Sequence, residues 1–385
     1  MSKEKILVVA AVPETILAFM SNHLQALSNV YDVSVVCGGL NAVPKSALIE
    51  NVSYIDISIE REISPFKDLI SLFRLIKFLK SNNFLLVQSI TPKAGFLTMM
   101  AAWLCGIPIR VHIFTGQVWA TKKGFFRLYL KQFDKLIAFF STFLLVDSPS
   151  QRDFLLSQGI SSASKINVLG NGSICGVDIR RFRSSESARS HIRSQMNIPA
   201  NAVLALYMGR LKRDKGLLDL AYAFESLDLN LLNLYLVLVG SDEEGLVEEI
   251  RNIILTKSSQ IFFVGAVSNP EDYIAAADFL CLPSYREGFG LVIIEAAAAG
   301  IPTLASRIYG ITDAVIDGVT GILHEPGDCV GIAGGLNDLY LNSSLRQRLG
   351  YAAKDRALRL FSTSYVIDAQ MAYFEKLIKG YRQHG

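Results

Sequence analysis

Two carboxylates, Glu287 and Glu295, stand eight positions apart in the stretch Pro283 to Gly300, PSYREGFGLVIIEAAAAG. Gly288 and Gly290 bracket Phe289 between them. The apolar run from Phe279 to Leu282 predicts a strand, and LVIIEAAAAG predicts a helix starting near Gly290. That helix is apolar on every side except at Glu295, the mark of a buried helix. A carboxylate on it is costly unless it is paired or hydrogen-bonded. The helix start presents free N–H groups and partial positive charge, and the glycines let a ligand come close to that backbone. Taken singly, Glu287 reads as a solvated loop charge and Glu295 as a structural carboxylate. One ligand would account for all the features at once, with a diphosphate at the helix start and hydroxyls on Glu295 and Glu287. Those are the parts of a nucleoside diphosphate sugar.

A second group of polar residues follows an earlier apolar run, Leu204 to Met208. GRLKRDKG, from Gly209 to Gly216, places Arg210 and Lys215 between a strand end and a helix start. Arg offers bidentate contacts to a diphosphate and Lys a point charge. Lys212 and Arg213 read as solvated. The acids of VGSDEEG, after the next strand, repel phosphate and read as a helix start. No Asp-x-Asp triplet and no His/Cys cluster occurs, so no metal site is expected. Arg210, Lys215 and the helix N-terminus could neutralise a leaving diphosphate without one.

The elements that position these residues come in two sets. From Lys5 to Leu169 short apolar runs alternate with amphipathic stretches, and the alternation restarts at Leu204. Such alternation predicts parallel sheets covered by helices on both faces. The chain of 385 residues is long enough for two cores. We expect an α/β protein with two doubly wound, Rossmann-like domains, residues 1–170 and 188–363, facing across a cleft. A glycine- and serine-rich linker, 171–187, joins them. The closing helix, Ser364 to Lys379, carries an apolar stripe of Val366, Ile367, Met371, Phe374 and Ile378. The five scattered cysteines predict reduced thiols, hence a cytosolic chain.

EGFGLVIIE resembles the E-x7-E motif of retaining glycosyltransferases of family 4, which have the GT-B fold. GIPTLASRIYGITDAVIDGVTGILHEPGD is similar to that family over its whole length. LGNGSICGVDIRRF resembles the family's linker signature, in which Asp178 and Phe182 would fix the linker. The resemblance implies a domain of residues 1–170 for the acceptor, to which 364–385 returns, and a donor domain at 188–363. It implies that Arg210 and Lys215 grip the donor diphosphate and that Glu287 holds sugar hydroxyls, these three being the catalytic set. Gly209, Gly288, Phe289, Gly290 and Leu291 would offer backbone to the donor, Val267 would hold the base, and Glu295 the ribose. No cofactor beyond the nucleotide sugar is implied. Retention without a carboxylate nucleophile would mean front-face attack, the departing phosphate oxygen taking the acceptor's proton.

In the first domain TPKAG and VHIFTGQVWATKKG resemble a subgroup that builds bacterial surface polysaccharides, such as O-antigen and capsule, on undecaprenyl diphosphate. This implies a UDP-linked N-acetylhexosamine as donor and a lipid-linked glycan as acceptor, met by Thr91, Lys93, Thr115 and Gly116. Many family members have His-Gly where this chain has Thr115-Gly116. The nearest histidine, His112, lies three residues earlier on the strand and is the substitute candidate. An epimerase of the same architecture would need histidines clustered around the sugar, and the five here form no cluster. A nucleotide-sugar-binding partner without catalysis is the non-enzyme alternative. A dinucleotide-dependent dehydrogenase does not fit, because AAVPET, not G-x-G-x-x-G, follows the first strand.

Net charge is +3, but twelve Lys/Arg face three acids between Arg61 and Lys135. The excess points to an anionic partner for the first half. Lys123, Arg127, Lys131 and Lys135, at spacings of four, would line one side of a helix whose remainder is rich in Phe, Leu and Tyr. That composition suits a helix lying in a membrane interface. No run is long enough to span a bilayer, and the N-terminus lacks the features of a signal peptide. The expectation is a cytoplasmic protein held to the inner face of the membrane, with no nucleic-acid partner.

Overall fold

Four- and five-residue runs such as ILVV and VLALY are buried on both faces, which suits them to the interior of parallel sheets. A computed structural model describes residues 3–60, 64–228 and 233–384. Arg61 and Glu62, counted above in the basic region, lie outside the described residues. The chain divides into two units, Met1–Cys175 with Thr363–Gly385, and Gly176–Ser362.

The first unit holds β1 (Lys5–Val9), β2 (Asp32–Cys37), β3 (Val52–Asp56), β4 (Phe84–Ile90), β5 (Ile109–Phe114), β6 (Phe143–Val146) and β7 (Ile166–Val168). They form one parallel sheet in the order β3-β2-β1-β4-β5-β6-β7. The intervening helices are α1 (Pro13–Phe19), α2 (Ser21–Val30), α3 (Pro65–Ser81), α4 (Pro92–Leu104), α5 (Gly124–Phe140) and α6 (Pro149–Ser157). The pattern from Glu14 to Leu27 predicts one helix. The structure breaks it at Met20, where the Ser21 hydroxyl donates to the Leu17 carbonyl.

The second unit opens with α7 (Glu186–Gln195), which starts at the last two residues of the stretch expected as a linker. Then come β8 (Val203–Met208), α8 (Leu217–Ser226), β9 (Leu234–Val239), α9 (Leu246–Ile253), β10 (Ile261–Gly265), α10 (Pro270–Ala276), β11 (Phe279–Leu282), α11 (Leu291–Ala299), β12 (Thr303–Ser306), α12 (Ile311–Ala314), β13 (Gly321–His324), α13 (Cys329–Leu341) and α14 (Ser343–Leu360). The second sheet is also parallel, ordered β10-β9-β8-β11-β12-β13.

The last helix, α15 (Thr363–His384), returns to the first unit. Its Val366 and Phe374 are fully buried. Polar contacts fix its register: Gln370 Nε2 donates to Gln88 Oε1 at 3.0 Å, and Asn167 Nδ2 donates to the Tyr373 hydroxyl at 3.2 Å. Asp178 accepts the N–H groups of Arg180 and Arg181 through Oδ1, and Phe182 is buried, so both shape the start of the second unit.

Both sheets share one feature that makes a site. Strand order reverses beside the first strand of each, between β1 and β4 and between β8 and β11. Loops leaving the carboxyl ends of such a strand pair run to opposite faces and leave a crevice where ligands bind.

Candidate active site

In the second unit the two loops flanking the reversal are those that carry the polar motifs. β8 delivers Gly209 to Gly216, and β11 delivers Pro283 to Gly290. Gly216 takes φ 68, and a Cβ there would stand 2.0 Å from the Pro283 carbonyl oxygen. The two loops therefore touch at a distance only glycine permits. Gly310, from the loop before α12, passes as closely on the other side, where a Cβ would meet the Gly288 oxygen at 2.4 Å.

This closeness joins two of the expected site residues. Lys215 Nζ lies 2.7 Å from Glu287 Oε1, both side chains being largely buried. The same carboxylate oxygen accepts from the Ser284 hydroxyl at 2.8 Å. Sequence reasoning assigned Lys215 to phosphate and Glu287 to sugar separately. In the structure they are one charge pair, ready to be shared by a ligand carrying both phosphate and hydroxyls. Arg210 stands apart, about half exposed and 3.5 Å from Glu243. Lys212 and Arg213 are not merely solvated. Lys212 pairs with Glu243 at 2.8 Å, and Arg213 with Glu249. Asp242 of the acidic turn accepts the N–H groups of Glu244, Leu246 and Val247, so that turn caps α9.

α11 begins at Leu291, after Gly290 at φ 75. Among the described residues the N–H groups of Phe289, Leu291 and Val292 find no acceptor. They are the donors a helix start leaves free. Phe289 itself is buried, edge-on to Phe361 at 5.2 Å, which anchors the loop and fixes the direction of those N–H groups. Glu295 follows one turn into α11. Burial pushes its carboxyl up to about 7, an effect that Arg181 opposes and Glu271 reinforces. No hydrogen-bond donor reaches it among the described residues. It is the costly carboxylate that the apolar pattern of α11 foretold, with the Arg181 charge but no hydrogen bond to offset the cost among the described residues. Val267 lies just beyond β10, partly buried against the core. Gly209 and Gly240 close the neighbouring strand ends, Gly209 N–H donating to Val239 and Gly240 N–H to Gly265.

Sequence reasoning missed the residues that hold this arrangement. Asp214 accepts Arg286 Nη2 at 2.8 Å, and its carbonyl accepts the Tyr285 N–H at 2.9 Å. The Tyr285 hydroxyl donates to Asp219 on α8 at 2.6 Å. Burial alone would raise the Asp214 carboxyl, but the Arg286 guanidinium, together with the Lys215 and Lys212 charges, more than offsets it and holds the group below its ordinary value. The signal available was alternation of charge, Asp214-Lys215 on one loop against Arg286-Glu287 on the other.

The first unit places its candidates unevenly. Thr91 and Lys93 stand at the start of α4, beside the β1–β4 reversal. Thr91 has φ 73, uncommon for a β-branched residue. The Lys93 ammonium is 2.7 Å from Asp68 on α3. Thr115 and Gly116 follow β5, with the Thr115 carbonyl accepting from Gln117 Nε2 at 3.2 Å. His112 does not join them. It is fully buried within β5, its Nδ1 2.8 Å from the Ser89 hydroxyl, with burial holding its pKa down at about 3. Gly95 makes room for it, since a Cβ there would lie 2.3 Å from the imidazole. His112 is a core residue, and its proposed place at the acceptor is corrected accordingly. A cavity of about 910 Å³ opens at the other end of this sheet, beside Lys5, Asp32, Asn51 and Asn83 at the strand starts. It gathers none of the candidate residues.

Of the basic residues expected on one side of α5, Lys123 is exposed, whereas Arg127 and Lys131 lie over the Trp119 ring at 5.5 and 5.7 Å. Both donate to Gln158 Oε1. Lys135 is half-buried. The large exposed apolar side chains lie elsewhere on α5, at Phe125, Phe126, Leu128 and Phe139. α4 packs against both α3 and α5, and α3 adds exposed Phe66, Leu69 and Phe73, with Trp103 on α4. No helix of the described residues is long and apolar enough to cross a membrane.

Two family models match the chain, one described as "Glycosyl transferases group 1" over residues 188–356 and one as "Glycosyl transferase 4-like domain" over residues 15–172. The chain is 29% identical over 324 residues to the Staphylococcus aureus capsular polysaccharide biosynthesis glycosyltransferase CapM, covering 84% of this chain and 85% of that one. It is 27% identical to the Escherichia coli UDP-Gal:alpha-D-GlcNAc-diphosphoundecaprenol alpha-1,3-galactosyltransferase, covering 78% and 75%. Among solved structures, Anabaena HepE in complex with UDP and glucose superposes with a TM-score of 0.80 at 19% identity, over 97% of this chain and 99% of that one.

Proposed function

We propose that this chain, whose two Rossmann-like units match the group 1 and 4-like glycosyltransferase models, moves a sugar from a UDP-sugar, an N-acetylhexosamine, to a lipid-linked oligosaccharide in bacterial polysaccharide assembly. The observation that carries this reading is the Lys215–Glu287 pair beside the open N-terminus of α11, at the strand-order reversal of the second sheet. The diphosphate would draw on Lys215, Arg210 and the N–H groups of Phe289 and Leu291. The sugar hydroxyls would take Glu287, the ribose Glu295, and the base the backbone near Val267. These groups spread the negative charge that develops as the glycosidic bond breaks, the task a divalent metal performs in other sites. Reaction on the face the diphosphate leaves, with its oxygen taking the acceptor's proton, retains the anomeric configuration. The undecaprenol-linked relative supports a lipid-linked acceptor, which would sit on the first unit near Thr91, Thr115 and Gly116.

Attachment to the inner face of the membrane belongs to the same proposal. The exposed apolar side chains of α3, α4 and α5 lie amid exposed Lys67, Arg74, Lys77, Lys122 and Lys123. An apolar face rimmed by bases suits the interface of an anionic leaflet. The test is a transfer assay with a panel of UDP- and GDP-sugars and undecaprenyl-diphosphate-linked N-acetylglucosamine, in EDTA. Retained product from one UDP-sugar supports the reading. Loss of activity in EDTA with rescue by Mn²⁺ refutes metal independence, and an inverted product refutes front-face attack.

A further inference from the structure

Asp214 precedes Lys215, and Arg286 precedes Glu287, so these two residues stand one position before the charge pair on either loop. Their side chains meet as their neighbours do, Arg286 Nη2 lying 2.8 Å from Asp214 Oδ2. Both are mostly buried, Arg286 18% and Asp214 26% exposed. The backbone follows the same line, with the Tyr285 N–H donating to the Asp214 carbonyl and Lys215 Nζ 3.4 Å from the Arg286 carbonyl. Tyr285 extends the seam to Asp219 on α8. Two antiparallel charge pairs therefore join the loops, Asp214–Arg286 behind Lys215–Glu287.

The pairs differ in what they can do. Glu287 lies on the loop that leads into the free N–H groups of α11 and holds Lys215 beside it, whereas Asp214 and Arg286 pair with each other behind it, Asp214 Oδ1 keeping no hydrogen-bond partner among the described residues. We propose that Asp214 and Arg286 are positioning residues, a latch that holds the loop after β11 against the loop after β8 so that Lys215 and Glu287 present their charges to one donor. This rests on the donor reading of the second unit. A diphosphate that draws the Lys215 ammonium toward itself weakens its hold on Glu287. Without a second attachment the two loops would then be joined at the charge pair only by backbone contacts, and Glu287 would be free to drift from the sugar. The latch keeps the loop spacing fixed while Lys215 changes partner. Misplacement of a positioned group by an ångström is enough to cost about a hundredfold in rate.

The experiment uses the full chain with Asp214→Asn, Arg286→Gln, Arg286→Lys and the Asp214→Asn/Arg286→Gln double variant. UDP affinity is measured by calorimetry, turnover of the UDP-sugar accepted by the wild type by UDP release, and Tm alongside. The latch predicts roughly tenfold or greater loss of kcat/KM in Asp214→Asn and in Arg286→Gln, partial recovery in Arg286→Lys, and no further loss in the double variant. kcat falls with a smaller change in UDP affinity, because Glu287 placement suffers more than the phosphate contacts. If the single variants lower Tm but keep kcat and KM, the pair only braces the fold and the proposal is wrong. If both losses add in the double variant, the two residues do not act as a pair and the proposal is equally wrong. A wild type that binds no UDP overturns the donor reading itself, and is thereby told apart from failure of the latch. Where Asp214→Asn does not fold, Arg286→Lys against Arg286→Gln carries the comparison alone.

Discussion

Glu295 gives the sharpest stability prediction, because its carboxyl lies on an apolar helix with no hydrogen-bond donor to it among the described residues. Burial raises it from 4.5 to about 7. Between those values the folded chain holds a proton there that the unfolded chain has released, so stability falls as pH rises through that window. The cost is complete above the folded value, and a rise of this size corresponds to about 3 kcal/mol. Glu295→Gln keeps the shape and removes the titration. The variant should therefore match the wild type near pH 4 and exceed it by up to about 3 kcal/mol at pH 8. Urea unfolding at several pH values reads the difference directly. Asp134 and Asp147, both pushed up to about 7 by burial, add the same downward trend to wild type and variant alike, so the difference isolates Glu295. A difference that stays constant with pH refutes the buried carboxylate without a hydrogen bond. The same variant should bind UDP more weakly, since a ribose hydroxyl is the donor that the proposed function assigns to Glu295.

Other expectations concern backbone room and the membrane. Gly216→Ala forces a Cβ to 2.0 Å from the Pro283 oxygen at φ 68, and should lower Tm and donor turnover together, by about 1–3 kcal/mol of stability or more. Gly95→Ala strikes the imidazole of His112, and in chemical denaturation a Gly95→Ala/His112→Ala double variant should lose less than the two singles added. Co-sedimentation with vesicles of rising phosphatidylserine content should show salt-sensitive binding of the wild type, each basic side chain near the surface contributing about 1 kcal/mol. Lys122→Gln/Lys123→Gln together with Phe125→Ser should reduce it sharply. Binding that ignores lipid charge refutes the anionic-leaflet proposal. Replacing Arg127 or Lys131 is a poorer test, since both also cover Trp119.

Much of the sheet was legible because parallel strands buried on both faces leave unbroken apolar runs, as in YLVLV before Gly240. The polar helix α7 was not. ESARSHIRSQ has little apolar periodicity and no element was read there, yet Arg189 and Arg193 both reach Asp278, and Arg193 is buried with further bonds to the Ala276 and Ala202 carbonyls. A helix anchored by a buried arginine and its neighbour announces itself through distant partners, which periodicity cannot show. β13 lies inside the run GIPTLASRIYGITDAVIDGVTGILHEPGD and was read only as part of it, and α13 and α14, which follow that run, were not read as helices. Of the site, the two loops and the lone carboxylate on α11 were visible as motifs. The Lys215–Glu287 pairing was not, because it depends on Gly216 letting residues far apart in sequence approach. His112 misled for the opposite reason: a histidine near a loop looks available until its burial is known.

The central claim is that the second unit grips a diphosphate without a metal through Lys215 and Arg210. Titrating UDP into the wild type, Lys215→Ala and Arg210→Ala in the presence of EDTA tests it most directly. A charge-assisted contact is worth about 1.5–3 kcal/mol, so each variant should bind UDP roughly ten- to a hundredfold more weakly while keeping its Tm within a few degrees. Wild-type binding that neither substitution changes would place the diphosphate elsewhere and contradict the account.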